Sequence, residues 1–302
     1  MAGALRILVL GSAAGGGFPQ WNCLCPNCRL AWDGDPRVRP RTQSSLAISA
    51  DGNRWLLLNA SPDLRQQIYD NKSLHPRGAT RHTPIAGVFL TNGDVDHLAG
   101  LLTLREQQPF TIFASESVLK KTRNGAFAVL NPDLVHRVIV ALEATIDMGL
   151  GFTLRPFAVP GKVPLYLEGT DIEIGGETDS TLGVEVTCDA KRAVIIPGCA
   201  RVTDDLIGRV EGADVLFFDG TTYTDDEMIR LGLSQKTAWR MGHCAIDGEH
   251  GSLARFAPSK IGRRIYTHIN NSNPILVEDS PQRAEVEAAG WIVAHDGLEI
   301  AL

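Results

Sequence analysis

Thr91-Asn92-Gly93-Asp94-Val95-Asp96-His97 follows the apolar run Ala86 to Leu90 and leads directly into the helical pattern Leu98-Ala-Gly-Leu-Leu-Thr-Leu104. An apolar run of strand length, then carboxylates and an imidazole, then a helix start is where α/β folds present their chemistry, just beyond the carboxyl end of a strand. Read by itself, the stretch serves two purposes equally well. Asp96 can cap the helix with His97 packed beneath it, or both can belong to a site.

Three further stretches favour a site. The run Arg264 to Tyr266 ends in Thr267-His268-Ile269, the run Val215 to Phe218 ends in Asp219, and Gly242-His243-Cys244 lies in a polar loop. Each places an ionisable group at the end of an apolar element. Their convergence at one sheet edge would supply two imidazoles and a carboxylate for a metal, with further acid and base groups beside it.

Strands are expected at Leu5 to Leu10, Leu46 to Ile48, Trp55 to Leu58, Val88 to Leu90, Thr111 to Phe113, Thr153 to Phe157, Val184 to Thr187 and Ala193 to Ile196, besides the runs already named. Ser61-Pro62 is expected to open one helix and Ser280-Pro281 another that stops at Gly290, each in the N-cap and N1 arrangement. Helical patterns also cover Asp204 to Val210 and Asp225 to Leu231. Early strands follow one another closely and later ones alternate with helices, so the sheet is expected to be mixed.

The chain has 302 residues, 44% of them hydrophobic, with 29 basic and 35 acidic side chains for a net charge of −6. That is a globular balance, and without a basic tract neither nucleic acid nor an anionic membrane surface is an expected partner. Leu5 to Leu10 is too short for a secretory signal, and no apolar run reaches the length of a bilayer span. A cytoplasmic protein with reduced thiols is expected. The stretch Gly11-Ser-Ala-Ala-Gly-Gly-Gly17 has neither phosphate-loop nor dinucleotide spacing, and reads as a turn that lets the chain pass close to a site.

Three of the six cysteines fall within six positions, as Cys23-x-Cys25-x-x-Cys28. Three soft ligands on one loop can wrap a tetrahedral ion if a fourth arrives from elsewhere, and structural zinc is expected. Redox catalysis is disfavoured because no helix is read directly after the loop to lower a thiol pKa. Cys188, Cys199 and Cys244 are expected to be buried small hydrophobes.

Taken together, the Thr-x-x-Asp-x-Asp-His run after a strand, the late Thr-His-Ile and the early Leu58-Asn-Ala-Ser-Pro-Asp63 resemble the metallo-β-lactamase superfamily, whose signature is His-x-His-x-Asp-His. With the cysteine loop added, the pattern is similar to the cyclic phosphodiesterases of phosphonate breakdown and the tRNA-processing zinc nucleases. Four phrases bring it closest to a family acting in pyrroloquinoline quinone (PQQ) synthesis: Gly15-Gly-Gly-Phe-Pro-Gln-Trp-Asn-Cys23, Thr91 to His97, Met241-Gly-His243 and Tyr266-Thr-His-Ile-Asn-Asn-Ser-Asn-Pro-Ile-Leu276.

The resemblance implies a four-layer αββα sandwich with mixed sheets, residues 1–302 forming one domain of two βα halves with the cysteine loop at about 20–30. It also shows departures from the hydrolase pattern. Asn92 and Asp94 stand where a dinuclear hydrolase has its first two histidines, Val159-Pro-Gly-Lys162 has no imidazole at the third position, and Pro197-Gly198-Cys199 stands where the bridging aspartate would be. One metal site has lost its ligands, so a bridged dizinc hydroxide should not assemble. The resemblance leaves Asp96, His97 and His268 as active-site ligands with Asp94 beside them, a set suited to ferrous iron and dioxygen. It makes His243 and Asp219 a proton-handling pair. Relatives carry a histidine where this chain has Asn271, which is the candidate fourth ligand of the structural zinc with Cys23, Cys25 and Cys28.

The implied reaction is iron- and oxygen-dependent hydroxylation of the tyrosine ring in an excised, cross-linked Glu-Tyr precursor of PQQ. Such a substrate carries several carboxylates, and Arg240, Lys162 and Arg65 are candidates to meet them. The alternatives are zinc-dependent hydrolysis, carriage of PQQ or its precursor toward the periplasm, and a scaffold for other enzymes of the pathway. Self-association is left open.

Overall fold

The computed structural model describes residues 4–162 and 174–302. Strand β1 (Arg6–Gly11) shows why so many runs read as continuously apolar: Ile7 and Val9 face one side and Leu8 and Leu10 the other, and both sides are buried. With β2 (Ser45–Ser49), β3 (Trp55–Leu58), β4 (Ile85–Phe89), β5 (Phe110–Ala114) and β6 (Val135–Ile139) it builds the first sheet in sequential order. From β1 to β3 the pairing is antiparallel, and from β3 to β6 it is parallel.

The second sheet runs in the order β13 to β7, from β7 (Ile146–Asp147), β8 (Thr153–Gly161), β9 (Gly176–Cys188), β10 (Lys191–Ile196), β11 (Val215–Asp219) and β12 (Arg263–Thr267) to β13 (Trp291–Val293). It is antiparallel from β7 to β10 and parallel from β10 to β13. The C-terminal β14 (Glu299–Ala301) returns to the first sheet, antiparallel to β1.

The core divides as a four-layer αββα sandwich requires. Ile7, Val9, Ile48, Leu56, Val184, Ile195, Phe217 and Ile265 fill the space between the sheets. On the outer face of the second sheet, Ile196, Leu216, Phe218 and Tyr266 pack beneath Leu206, Val210 and Val286 from the helices Asp204–Val210 and Pro281–Ala288. The outer face of the first sheet packs Leu57, Val88 and Ile112 beneath Leu64, Leu101 and Val118. Among the described residues, no helix is long and apolar enough to cross a membrane.

Local signals held where their partners were local. Ser280 Oγ accepts from the Arg283 amide at 3.0 Å with Pro281 in the first turn, and Gly290 takes the left-handed conformation (φ 82°) just past the helix. Ser61-Pro62 does not open its helix. That helix is Leu64–Asp70, with Asp63 at the cap position, and Ser61 contributes only its carbonyl, to the Leu64 amide at 3.0 Å. The expected helix after the strand forms only one α turn, Val95–Leu98, which includes His97, and then a 3-10 run, Ala99–Leu104. Only Glu227–Arg230 of the stretch from Asp225 to Leu231 is helical, since the Asp225 carboxylate accepts from the Trp239 amide instead. The cysteine loop does lead into a helix, Pro26–Trp32, with Cys25 at the cap position and proline in the first turn.

Candidate metal centre

Parallel strands β4, β11 and β12 point their carboxyl ends to one edge of the sandwich, and the polar residues that follow them meet there. After β4, Asn92 Oδ1 accepts from the Asp94 amide at 2.9 Å, and Asp94 starts the turn Val95–Leu98 that carries Asp96 and His97. The Asn59–Ser61 segment clamps this turn: the Ala60 amide donates to the His97 carbonyl at 2.7 Å and the Gly100 amide to the Ala60 carbonyl at 2.8 Å. A Cβ at Gly100 would lie 2.1 Å from the Ser61 carbonyl, so this approach requires glycine. After β12, His268 adopts a left-handed backbone (φ 55°), and its carbonyl lies 3.0 Å from Thr221 Oγ1. The glycine-rich loop closes the site from above, and a Cβ at Gly15 would lie 3.4 Å from the Asp96 carboxyl carbon.

Ligand atoms of Asp96, His97 and His268 all lie within 4.8 Å of one another, and those of Asp219, His243 and His268 form a second such group. Asp96 Oδ2 is 3.2 Å from His268 Nε2 and 3.8 Å from His97 Nε2. The His97 and His268 rings meet edge-on with centroids 5.3 Å apart, while His243 stacks on His268 at 5.2 Å. His97 Nε2 is buried without a hydrogen-bond partner among the described residues, an arrangement that otherwise costs free energy. Burial holds His97 down at a pKa of about 4, which keeps its ring neutral and able to donate a lone pair at physiological pH. Burial works against ionisation of Asp96, but the neighbouring His97 charge and the hydrogen bond to His268 more than offset it and hold the carboxyl well below its ordinary value. Burial likewise opposes charge on His268, yet the hydrogen bond and charge of Asp96 raise its pKa. The site therefore attracts positive charge between Asp96 and His268, beside an orphaned imidazole nitrogen. Two imidazoles and a carboxylate so placed fit a divalent cation such as Fe(II) or Zn(II).

Asp219 is fully buried and accepts four hydrogen bonds: from the Cys199 amide (2.9 Å), the Thr221 amide (3.0 Å), Thr221 Oγ1 (2.6 Å) and His243 Nδ1 (2.6 Å). Burial would raise its pKa, but the His243 charge and hydrogen bond bring the net shift downward. The carboxylate thus holds and orients the His243 ring. His243 in turn lines a cavity of about 560 Å3 together with Ala200, Arg201, Trp239, His250 and Arg255.

In the cysteine loop, Cys23, Cys25 and Cys28 bring three buried sulfurs within 4.8 Å of one another. The Asn271 carboxamide lies against all three, with Nδ2 at 3.2, 3.7 and 3.3 Å from the respective sulfurs, and a half-turn of the amide exchanges its nitrogen for Oδ1. Their mutual hydrogen bond raises the Cys25 thiol and lowers that of Cys28, the signature of thiols crowded closely enough to share a proton. Three thiolates and one carboxamide oxygen match a closed tetrahedral ion site. Cys188, Cys199 and Cys244 are buried, as expected of small hydrophobes.

Asp94 belongs to neither group of converging ligand atoms; burial, and then the Asp96 charge, raise its pKa. Lys162 packs across Gly242, where an added Cβ would lie 2.9 Å from its Cγ, and its charge acts on Asp94. Arg240 lies on the short helix Ala238–Met241 that precedes His243, whereas Arg65 is exposed on Leu64–Asp70. Sequence reasoning did not single out Asn59, Thr91 or Thr221, each of which contacts the histidines or their supports. The one available signal was position, since Thr91 directly follows an apolar run and Thr221 follows Asp219 by two residues.

Comparison with known proteins agrees with this fold. A sequence model of the β-lactamase superfamily domain matches residues 54–269. The chain is 58% identical to coenzyme PQQ synthesis protein B of Methylorubrum populi, over 99% of this chain and all of that protein. Its fold superposes with a TM-score of 0.97 on the Zn(2+)-bound PqqB crystal structure from Methylobacterium extorquens, 58% identical, covering 98% of this chain and all of that one. A diphosphatase of the PhnP family shares the fold alone, with a TM-score of 0.70 at 19% identity over 100% and 98% of the two chains.

Proposed function

The chain belongs to the coenzyme PQQ synthesis protein B family of the β-lactamase superfamily, and from that premise we propose that it acts in PQQ synthesis as a non-haem iron hydroxylase of the tyrosine ring in a cross-linked Glu-Tyr precursor. Residues 1–302 work in this reading as one domain, because Asp96 and His97 follow a strand of the first sheet and His268 a strand of the second. The observation that carries the proposal is the ligand set. Asp96, His97 and His268 converge with the orphaned His97 Nε2 among them, while Asn92 and Asp94, Val159-Pro-Gly-Lys162 and Pro197-Gly198-Cys199 stand where the resemblance would put a second hydrolytic metal's histidines and bridge.

When bound there, ferrous iron supplies activation of dioxygen, which the side chains of the site cannot provide alone. Asp96, His97 and His268 would hold it, through one carboxylate and two imidazoles. His243, held by Asp219 through Nδ1, keeps Nε2 for the proton that must leave the ring carbon or its hydroxyl. The cavity bordered by His243 receives the substrate, with Trp239 offering an aromatic face and Arg201 and Arg255 offering charge to its carboxylates. Among the basic candidates, Lys162 lies next to Asp94 and Gly242 at this edge of the sandwich. The three cysteines and Asn271 hold zinc as a clip apart from the chemistry.

Zinc hydrolysis is the second reading, favoured by the Zn(2+)-bound state of the Methylobacterium extorquens relative. Zinc also stands above iron in intrinsic affinity for such ligands, so occupancy alone does not decide between the two. The test is anaerobic reconstitution with Fe(II), then addition of oxygen, a reductant and the cross-linked Glu-Tyr substrate. Gain of oxygen mass in the product, abolished in His97→Ala and His268→Ala, supports hydroxylation. Cleavage of an ester by zinc-loaded protein, with the tyrosine untouched by iron-loaded protein, contradicts it.

A further inference from the structure

We propose that Thr221 and Thr91 are positioning residues that fix the tautomers of His268 and His97, so that both Nε2 atoms turn an unprotonated lone pair toward one metal; this rests on the reading that Asp96, His97 and His268 hold that metal. A threonine hydroxyl has a single hydrogen to donate. Thr221 Oγ1 lies 2.6 Å from Asp219 Oδ1, 3.0 Å from the His268 carbonyl and 2.9 Å from His268 Nδ1. An ionised carboxylate and a carbonyl are acceptors only, and an O···O separation of 2.6 Å requires a proton between the two oxygens. The hydroxyl proton therefore goes to Asp219, and His268 Nδ1 must be the donor to Oγ1. With Nδ1 so committed, the hydrogen that His268 Nε2 shares with Asp96 Oδ2 at 3.2 Å is the one a metal would displace, leaving the Nε2 lone pair for the cation. His243 cannot take over this role, because its own Nδ1 is engaged by Asp219 Oδ2 at 2.6 Å.

The same construction recurs at His97 with a different support. Thr91 Oγ1 lies 3.3 Å from His97 Nδ1, 3.1 Å from Asn59 Oδ1, which also accepts from the Thr91 amide at 2.9 Å, and 3.0 Å from Asn59 Nδ2, which can donate to it. If the Thr91 proton goes to Asn59, His97 Nδ1 is again the donor. The buried and unpartnered His97 Nε2 is then a lone pair with nothing but a cation to receive it. The two relays differ in charge. His268 is backed through Thr221 by a carboxylate, whereas His97 is backed through Thr91 by a neutral amide, so the His268 relay should bear more on metal affinity.

The test uses the full chain, stripped of metal and titrated anaerobically with Co(II). Binding at the three-thiolate site gives strong near-ultraviolet sulfur-to-cobalt bands, and its visible contribution, recorded in His97→Ala, is subtracted to leave the weaker visible bands of the Asp96, His97 and His268 site. Thr221→Val should weaken binding at the second site by about 10- to 100-fold and shift its visible bands. Thr221→Ser, which keeps the hydroxyl, should restore both, and Thr91→Val should show a smaller loss. Wild-type affinity and bands in Thr221→Val, or equal losses in Thr221→Ser and Thr221→Val, would overturn the inference alone. Absence of the visible bands from the unsubstituted protein would overturn the metal assignment together with it. Should Thr221→Val fail to fold, the same reading comes from Thr91→Val, where unchanged affinity and bands count against the relay.

Discussion

Asp219 and His243 touch through one hydrogen bond, yet the structure assigns them unequal burdens. Asp219 is buried and satisfies three donors besides His243, so Asp219→Asn turns a four-acceptor group into one that must present an NH2 to donors. Loss of about 2–4 kcal/mol of stability is expected, from the cost of unsatisfied buried groups. His243→Gln leaves Asp219 its other three donors and should cost less than about 1 kcal/mol while abolishing turnover. Chemical denaturation of the two variants checks this, and equal losses would show that Asp219 serves only His243. Asp96, His97, His268 and Asp219 were legible in the sequence because each stands at the end of an apolar run. Thr91, Thr221 and Asn59 were not, because their roles depend on partners up to 47 residues away that only the folded chain brings near.

At the scale of elements, the junction of β10 and β11 carries a titration with a definite sign. Asp214 accepts from Lys191 Nζ at 2.8 Å and from the Arg192 amide at 2.9 Å, and the Lys191 hydrogen bond is the main reason its carboxyl sits below its ordinary value. A folded-state pKa below the unfolded one contributes stability that is present above about pH 4 and is lost as pH falls through the folded value. Because the pair is partly exposed, about 0.5–1 kcal/mol is expected. Asp214→Asn should therefore lower stability at pH 7 and flatten the acid limb of the stability profile; an unchanged profile would refute it.

The cysteine loop makes the second prediction at this scale. Zinc added to stripped protein should raise its melting temperature through the thiolate site, and Cys25→Ser should lose that increment and one equivalent of zinc while keeping metal at the Asp96 site. Loss of both metals together would contradict the separation of clip and centre. The spacing of the three cysteines was readable because all three fall within six positions, two before the helix Pro26–Trp32 and Cys28 in its first turn. The helix Pro26–Trp32 was missed because its short span carries no apolar periodicity, and the Ser61 cap was misread because the Asn59–Ser61 segment is committed to the His97 turn.

Over the whole molecule, the two sheets meet at the site. The first contributes Asp96 and His97 beyond β4, and the second contributes Asp219 and His268 beyond β11 and β12. Mixed pairing was legible because early strands follow one another closely and later ones alternate with helices, whereas the four layers were implied by the family resemblance and not by the strands themselves. The pairing order of the sheets could not be read the same way, since β14 crosses back to β1 from the far end of the chain. A net charge of −6 says nothing about how a carboxylate-rich substrate is held, which falls to local groups around the His243 cavity. The central claim is oxidative rather than hydrolytic chemistry at Asp96, His97 and His268. Its most direct test is a single turnover of iron-loaded protein with the cross-linked Glu-Tyr substrate under 18O2 in ordinary water, read by mass spectrometry. The account predicts 18O in the tyrosine ring; a product whose added oxygen comes only from water would contradict it.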